Sequence, residues 1–103
     1  MRQILFRGKT YRGDWVYGSL IVAQEYLIEN HTGQRLVNPE TVGQYTGCVD
    51  ADGKKIFEGD IIRNDGNVVE FCNGGFFVNG DSPLALWQHE RVVGNIHDRK
   101  MCV

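Results

Sequence analysis

The sequence predicts an all-β fold, a small sandwich or barrel of short strands with at most one short helix. Three observations carry this. Thirteen of the 103 residues are glycine, spread along most of the chain. Four turn dipeptides, Asp52-Gly53, Asp65-Gly66, Asn73-Gly74 and Asn79-Gly80, have the composition that tight hairpins need at positions of positive φ. Between them lie short apolar, β-branched or aromatic runs, and a strand–turn rhythm at this spacing marks small β sandwiches and barrels.

The elements follow in order. Ile4-Leu5-Phe6 opens as a strand. Residues 14 to 22 (DWVYGSLIV) make a second, with Gly18 marking a bend or bulge. Residues 25 to 29 (EYLIE) make a third. A short strand over 42 to 45 begins after a turn at Pro39. Residues 54 to 57, 60 to 63, 67 to 72 and 75 to 78 form a run of hairpins, and 92 to 96 closes the chain. The one helix signal is the stretch from Ser82 to Gln88, with serine placed to cap and Pro83 at the first helical position. There is no long amphipathic helix, no internal repeat and no low-complexity linker, so residues 1 to 103 read as a single domain.

Composition narrows the class. Hydrophobic content of 42% and charged content of 23% fit a globular chain rather than a disordered one. The longest apolar run, Leu20 to Ala23, is far short of the ~20 residues that span a membrane, and the N-terminus shows no secretory pattern. A cytoplasmic location is expected. Cys48, Cys72 and Cys102 are odd in number and widely spaced, which fits reduced thiols better than a disulfide framework or a zinc site. No cofactor and no metal are expected. The net charge of −2 argues against a global nucleic-acid footprint. The local exception is the N-terminal arm, where Arg2, Arg7, Lys9 and Arg12 precede the first acidic residue, Asp14.

The densest cluster of charge is DADGKKIFEGD, residues 50 to 60. Read as a calcium loop from Asp50, it puts Lys54 at the fifth ligand position, glycine at the fourth place instead of the sixth, and Ile61 where a bidentate glutamate belongs. Read as an acid–base pair, it offers Glu58 and Asp60 on either side of Gly59, with Lys54 and Lys55 close enough to neutralise them. A turn accounts for more of the residues. Asp52-Gly53 forms a hairpin tip, and lysines guard a short edge strand up to Phe57. Gly59 takes up a conformation other residues avoid, and Asp60 bonds backbone amides as the chain enters Ile61-Ile62.

The remaining chemistry is weak. Cys48, Cys72, His31, His89 and His97 lie in no nucleophile motif, and Asn73-Gly74-Gly75 lacks the lysine of a phosphate loop. The aromatic residues pack a core, or in part present a stacking face such as Trp15 with Tyr17. Adjacent Phe76 and Phe77 point to opposite faces of a strand, which makes one of them a candidate partner surface.

Residues 37 to 63, VNPETVGQYTGCVDADGKKIFEGDIIR, resemble the central signature of the YopX-like phage proteins: Pro-Glu-Thr-Val, Gln-Tyr-Thr-Gly, Asp-x-x-Gly and Glu-Gly-Asp-Ile. The flanks RQILFR (2 to 7), WVYG (15 to 18) and VVGNIH (92 to 97) are similar to the family's opening and closing motifs. Cys48 departs from the pattern, which more often has leucine there. The resemblance implies a phage or prophage protein of a bacterial host, built of coiled β-sheets including an SH3-like barrel. It supplies no catalytic residue and no established molecular function.

The expected function is therefore non-catalytic: a self-associating module whose short strands leave edges that can pair, with a further host or phage protein as a conceivable partner. One rival is a nucleic-acid-binding barrel using Arg7, Lys9 and Arg12 beside Tyr11 and Trp15. The other is a small enzyme, or an inhibitor of a host enzyme, with Glu58 and Asp60 as the acidic pair.

Overall fold

The computed structural model describes residues 4–64 and 66–98. Arg2, Asp65 and Cys102, singled out above, lie outside the described residues. The described chain is all-β: eleven strands in small antiparallel sheets and a single 3-10 turn. It divides into two compact units, Met1–Tyr45 and Thr46–Val103.

In the first unit, β1 (Phe6–Lys9), β2 (Trp15–Val22), β3 (Tyr26–Asn30), β4 (Gly33–Leu36) and the first part of β5 (Asn38–Val49) pair in the order β4-β3-β2-β1-β5. Alternation along each strand sorts the side chains. Val16 and Ile28 are buried with Val37, the residue between β4 and β5, and Phe6, Leu20, Tyr26 and Val42 pack around them. The opposite face of β1 and β2 carries Arg7, Lys9, Trp15 and Tyr17, which their register sets side by side: Arg7 faces Tyr17 and Lys9 faces Trp15. β4 ends the ladder on one side, so no closed ring of strands forms among the described residues.

Three elements of the first unit differ from expectation. β1 begins at Phe6 rather than Ile4 and runs into the basic arm. Arginine and lysine are accepted there because Trp15 lies beneath them, and Gly8 is needed because an added Cβ would sit 2.9 Å from the Val37 side chain. β5 is twelve residues long and contains Pro39 instead of starting after it. The register with β1 shifts between Arg7 and Lys9, which is where a strand tolerates proline. The Thr41 hydroxyl repairs the ladder at that point: it accepts the Lys9 N–H (2.8 Å) and donates to the Asn38 carbonyl (2.7 Å). Strand β4 has no counterpart among the expected elements. Its residues, GQRL, are all exposed, and its hairpin turn is His31-Thr32 instead of an Asx-Gly pair. Asn30 holds that turn, its Oδ1 accepting the Thr32 N–H (2.9 Å) and hydroxyl (2.6 Å).

In the second unit the end of β5 borders the edge strand β6 (Lys55–Phe57). β7 (Asp60–Ile62) pairs with β11 (Val92–Asn95). β8 (Val69–Cys72), β9 (Gly75–Val78) and β10 (Ser82–Pro83) form a three-stranded sheet in the order β10-β9-β8. Ile56, Ile62, Val69, Val78 and Leu84 are buried together, with Cys48, Phe76, Trp87 and Val92 packed on them. At the β8–β9 turn both Asn73 (φ 49°) and Gly74 (φ 80°) have positive φ, the signature of a two-residue type I′ hairpin. The helix expected over Ser82 to Gln88 is a 3-10 turn, Leu84–Trp87. Pro83 is extended and paired with Phe77, so it does not start a helix. Ser82 does not cap; its hydroxyl accepts the Trp87 indole N–H at 2.9 Å.

Candidate functional site

The acidic segment of the second unit is organised around Asp50. Its carboxylate is almost fully buried. Oδ1 accepts the N–H groups of Asp52 and Lys54, each at 2.9 Å, and Oδ2 accepts that of Val92, also at 2.9 Å. One side chain thus shapes the 50–54 hairpin and ties it to β11. Asp52 is exposed and pairs with Arg91 (3.3 Å), and Gly53 has φ +79° at the tip. The second turn of the segment, between β6 and β7, has Glu58 half-exposed and Gly59 at φ +92°. Asp60 is buried, and its Oδ2 accepts the Phe57 N–H at 2.8 Å. Gly59 itself donates to the Val69 carbonyl (2.8 Å) and accepts from Ile96 (3.0 Å). Both turns are held by carboxylates bonded to backbone amides. No group of three or more His, Cys, Asp or Glu among the described residues is arranged to hold a metal ion.

The basic residues of the N-terminal arm divide. Arg7 is buried with its guanidinium carbon 4.6 Å from the Trp15 ring centroid, and the Lys9 ammonium lies 5.7 Å from the same centroid. These are cation–π contacts across one face of β1 and β2. Arg12 is elsewhere, in the turn between those strands, which bonds of Thr10 and Gly13 close. There Arg12 and exposed Tyr11 line a shallow cleft of about 330 Å³ together with Thr10 and two residues of β4, Arg35 and Leu36. Arg7 and Arg12 therefore do not share one solvent-facing basic surface.

The aromatic pair of β9 is half-buried: Phe76 packs on the core, and Phe77 is also half-covered. The ring that faces solvent belongs to β8. Phe71 is 51% exposed and meets Phe76 edge-to-face at 5.0 Å between centroids. β8 is the outer strand of its sheet. Cys72 faces Gly75 across the two-residue turn, so the next pair, Phe71 and Phe76, is a non-hydrogen-bonded one, in which the N–H and C=O of Phe71 point to the outer edge. Two residues earlier, the carbonyl of Val69 points the same way and is taken by Gly59.

The YopX protein family matches the chain over residues 9–100. The chain belongs to the YopX family. The match runs through both units of this YopX-family member, from Lys9 in β1 past the end of β11. No curated protein matches it.

Among the described residues, no helix is long and apolar enough to cross a membrane. Three of the residues just placed were not singled out as functional from sequence. Asp50 was visible as the first residue of an Asp-x-Asp-Gly turn. Arg35 lies on an unexpected polar strand. Phe71 shares one face of its strand with Val69, a pattern that reads as core packing.

Proposed function

We propose that this YopX-family protein is a non-catalytic module that self-associates, two copies pairing antiparallel through the outer edge of β8. A phage or prophage setting, in the bacterial cytoplasm, fits this reading. The observation that carries it is the coincidence, at one residue of a terminal strand, of outward-pointing backbone groups and an exposed aromatic ring, both of Phe71, beyond the stretch of edge that Gly59 and Ile61 cover. Short exposed edges of this kind pair readily with another strand.

A second copy suits this edge because β8 is self-complementary. Centred on Phe71, an antiparallel β8–β8 pair sets the outward backbone groups of Phe71 against those of its copy. It also sets Glu70 opposite Cys72 of the partner subunit, so no like charges face each other. A register shifted to put Glu70 opposite its own copy would oppose two carboxylates and is disfavoured. Two-fold pairing through one patch closes on itself, as in most homodimers.

The register gives a sharp test. With Cys48 and Cys102 replaced by serine, Glu70→Cys places a thiol opposite Cys72 of the partner subunit in a non-hydrogen-bonded pair, where Cβ atoms lie about 4.5–5.5 Å apart. Mild oxidation is expected to give a covalent dimer of twice the 11.7 kDa chain mass. A control thiol at exposed Glu25 should give none. Equal cross-linking of the two variants, or none in either, would overturn the pairing.

A further inference from the structure

The cleft between the β1–β2 turn and β4 is lined by basic, aromatic and apolar side chains. Two guanidiniums, Arg12 and Arg35, come to it from separate segments of the first unit. No carboxylate lines it. Elsewhere exposed arginines have acidic partners: Arg63 meets Glu90 at 3.8 Å and Arg91 meets Asp52 at 3.3 Å. Neither Arg12 nor Arg35 has an ion-pair partner among the described residues. In a chain with thirteen acidic and eleven basic side chains, two arginines lining one concavity without an ion-pair partner among the described residues make a local positive potential.

We infer that this cleft binds a phosphate monoester carried on a planar ring, the chemistry of a mononucleotide or of the 5′-phosphorylated end of a single strand. The inference is independent of pairing through β8, which lies in the other unit. Three features select the ligand. A guanidinium is a rigid fork that binds two oxygens, and one fork is enough for a carboxylate. Two forks from two segments suit a tetrahedral group with three free oxygens and nearly two negative charges at neutral pH. Tyr11, 67% exposed at the rim, presents a ring on which a planar base can stack. Leu36 adds apolar wall, and the cleft's volume is at the lower end of the ~300–1,000 Å³ of small-ligand sites.

The test is titration calorimetry on the full chain with inorganic phosphate, thymidine, thymidine 5′-monophosphate, triglutamate, and oligothymidylate with and without a 5′-phosphate. The monophosphate is expected to bind more tightly than phosphate, with thymidine and triglutamate weaker than both. Arg12→Gln and Arg35→Gln should each lower monophosphate affinity at least about tenfold. Tyr11→Ala should lower it about tenfold while leaving inorganic phosphate unchanged. Arg91→Gln, a paired arginine of the other unit, should change nothing. Preference for the 5′-phosphorylated oligomer over the monophosphate would identify a strand end as the source, and the reverse would identify the free nucleotide. Absence of binding by any phosphorylated probe, triglutamate binding as tightly as the monophosphate, or full affinity in the Arg12→Gln, Arg35→Gln double variant would each overturn the assignment. Melting temperature and near-ultraviolet circular dichroism of the variants separate lost binding from lost structure, since all three side chains lie at the surface.

Discussion

Replacing Asp50 with alanine is expected to destabilise the protein by about 2 kcal/mol, since hydrogen bonds to a charged acceptor contribute about 1.5–3 kcal/mol each and water can reach the freed amides of exposed Asp52 and Lys54. Three amides lose their acceptor at once, those of Asp52, Lys54 and Val92. Asp50→Asn keeps one acceptor oxygen and should fall between the wild type and Asp50→Ala. The effect also depends on pH. Burial alone would raise the Asp50 pKa, but the amides of Val92, Lys54 and Asp52, with the charge of Lys54, outweigh it and hold the carboxyl below its ordinary 3.8. A group whose pKa is lowered by folding contributes stability that is fully present above the unfolded value. That stability is lost as the pH falls through the folded one. The gap between wild type and Asp50→Asn in urea unfolding should therefore be widest near about pH 6 and shrink below about pH 4. A gap that is constant across that range would show that the carboxylate charge is irrelevant.

The second large effect is expected at Gly18. A Cβ there would collide with the carbonyl oxygen of Glu29 and crowd the Asn30 side chain. Gly18 is the residue at which β2 changes partners: up to Gly18 it is registered with β1, and from Ser19 it is registered with β3. The obstacle is backbone, which cannot move aside as the end of a flexible side chain can. Gly18→Val should cost more than about 3 kcal/mol or leave the first unit unfolded, a far larger loss than a surface substitution. Gly13→Ala makes the comparison, because Gly13 also has positive φ (95°) but an added Cβ would meet nothing within 4 Å. Its cost should be about 1 kcal/mol, from conformation alone. Equal losses at the two glycines in thermal unfolding would contradict the close-approach account.

The hairpins were the most legible part of the fold. Asn73-Gly74 and the short runs on either side specify β8, β9 and their turn almost to the residue, because turn chemistry and strand pattern agree there. Legibility failed where a tertiary partner overrides local character. Arg7 and Lys9 look like a solvated arm until Trp15 is placed under them, and Pro39 looks like a strand breaker until the Thr41 hydroxyl stands in for the ladder. β4 has no apolar alternation to read, since all four of its residues face solvent at a sheet edge.

The candidate surfaces were legible in residue type more than in place. The adjacent Phe76 and Phe77 mark a candidate outward ring in the sequence. Whether the outward ring is Phe71, Phe76 or Phe77 depends on which side of the hairpin covers the core. The cleft needed the fold, because Arg12 and Arg35 are 23 positions apart (35 − 12) and line one cleft only where the β1–β2 turn comes beside β4.

The most direct test of the central claim is light-scattering mass on a size-exclusion column, comparing wild type with Phe71→Glu over a range of concentrations and at low and high salt. The account predicts a wild-type mass of twice 11.7 kDa at high concentration and the mass of one chain for Phe71→Glu, with unchanged circular dichroism. A wild type that stays at the single-chain mass throughout, or a Phe71→Glu variant that still dimerises, would contradict it.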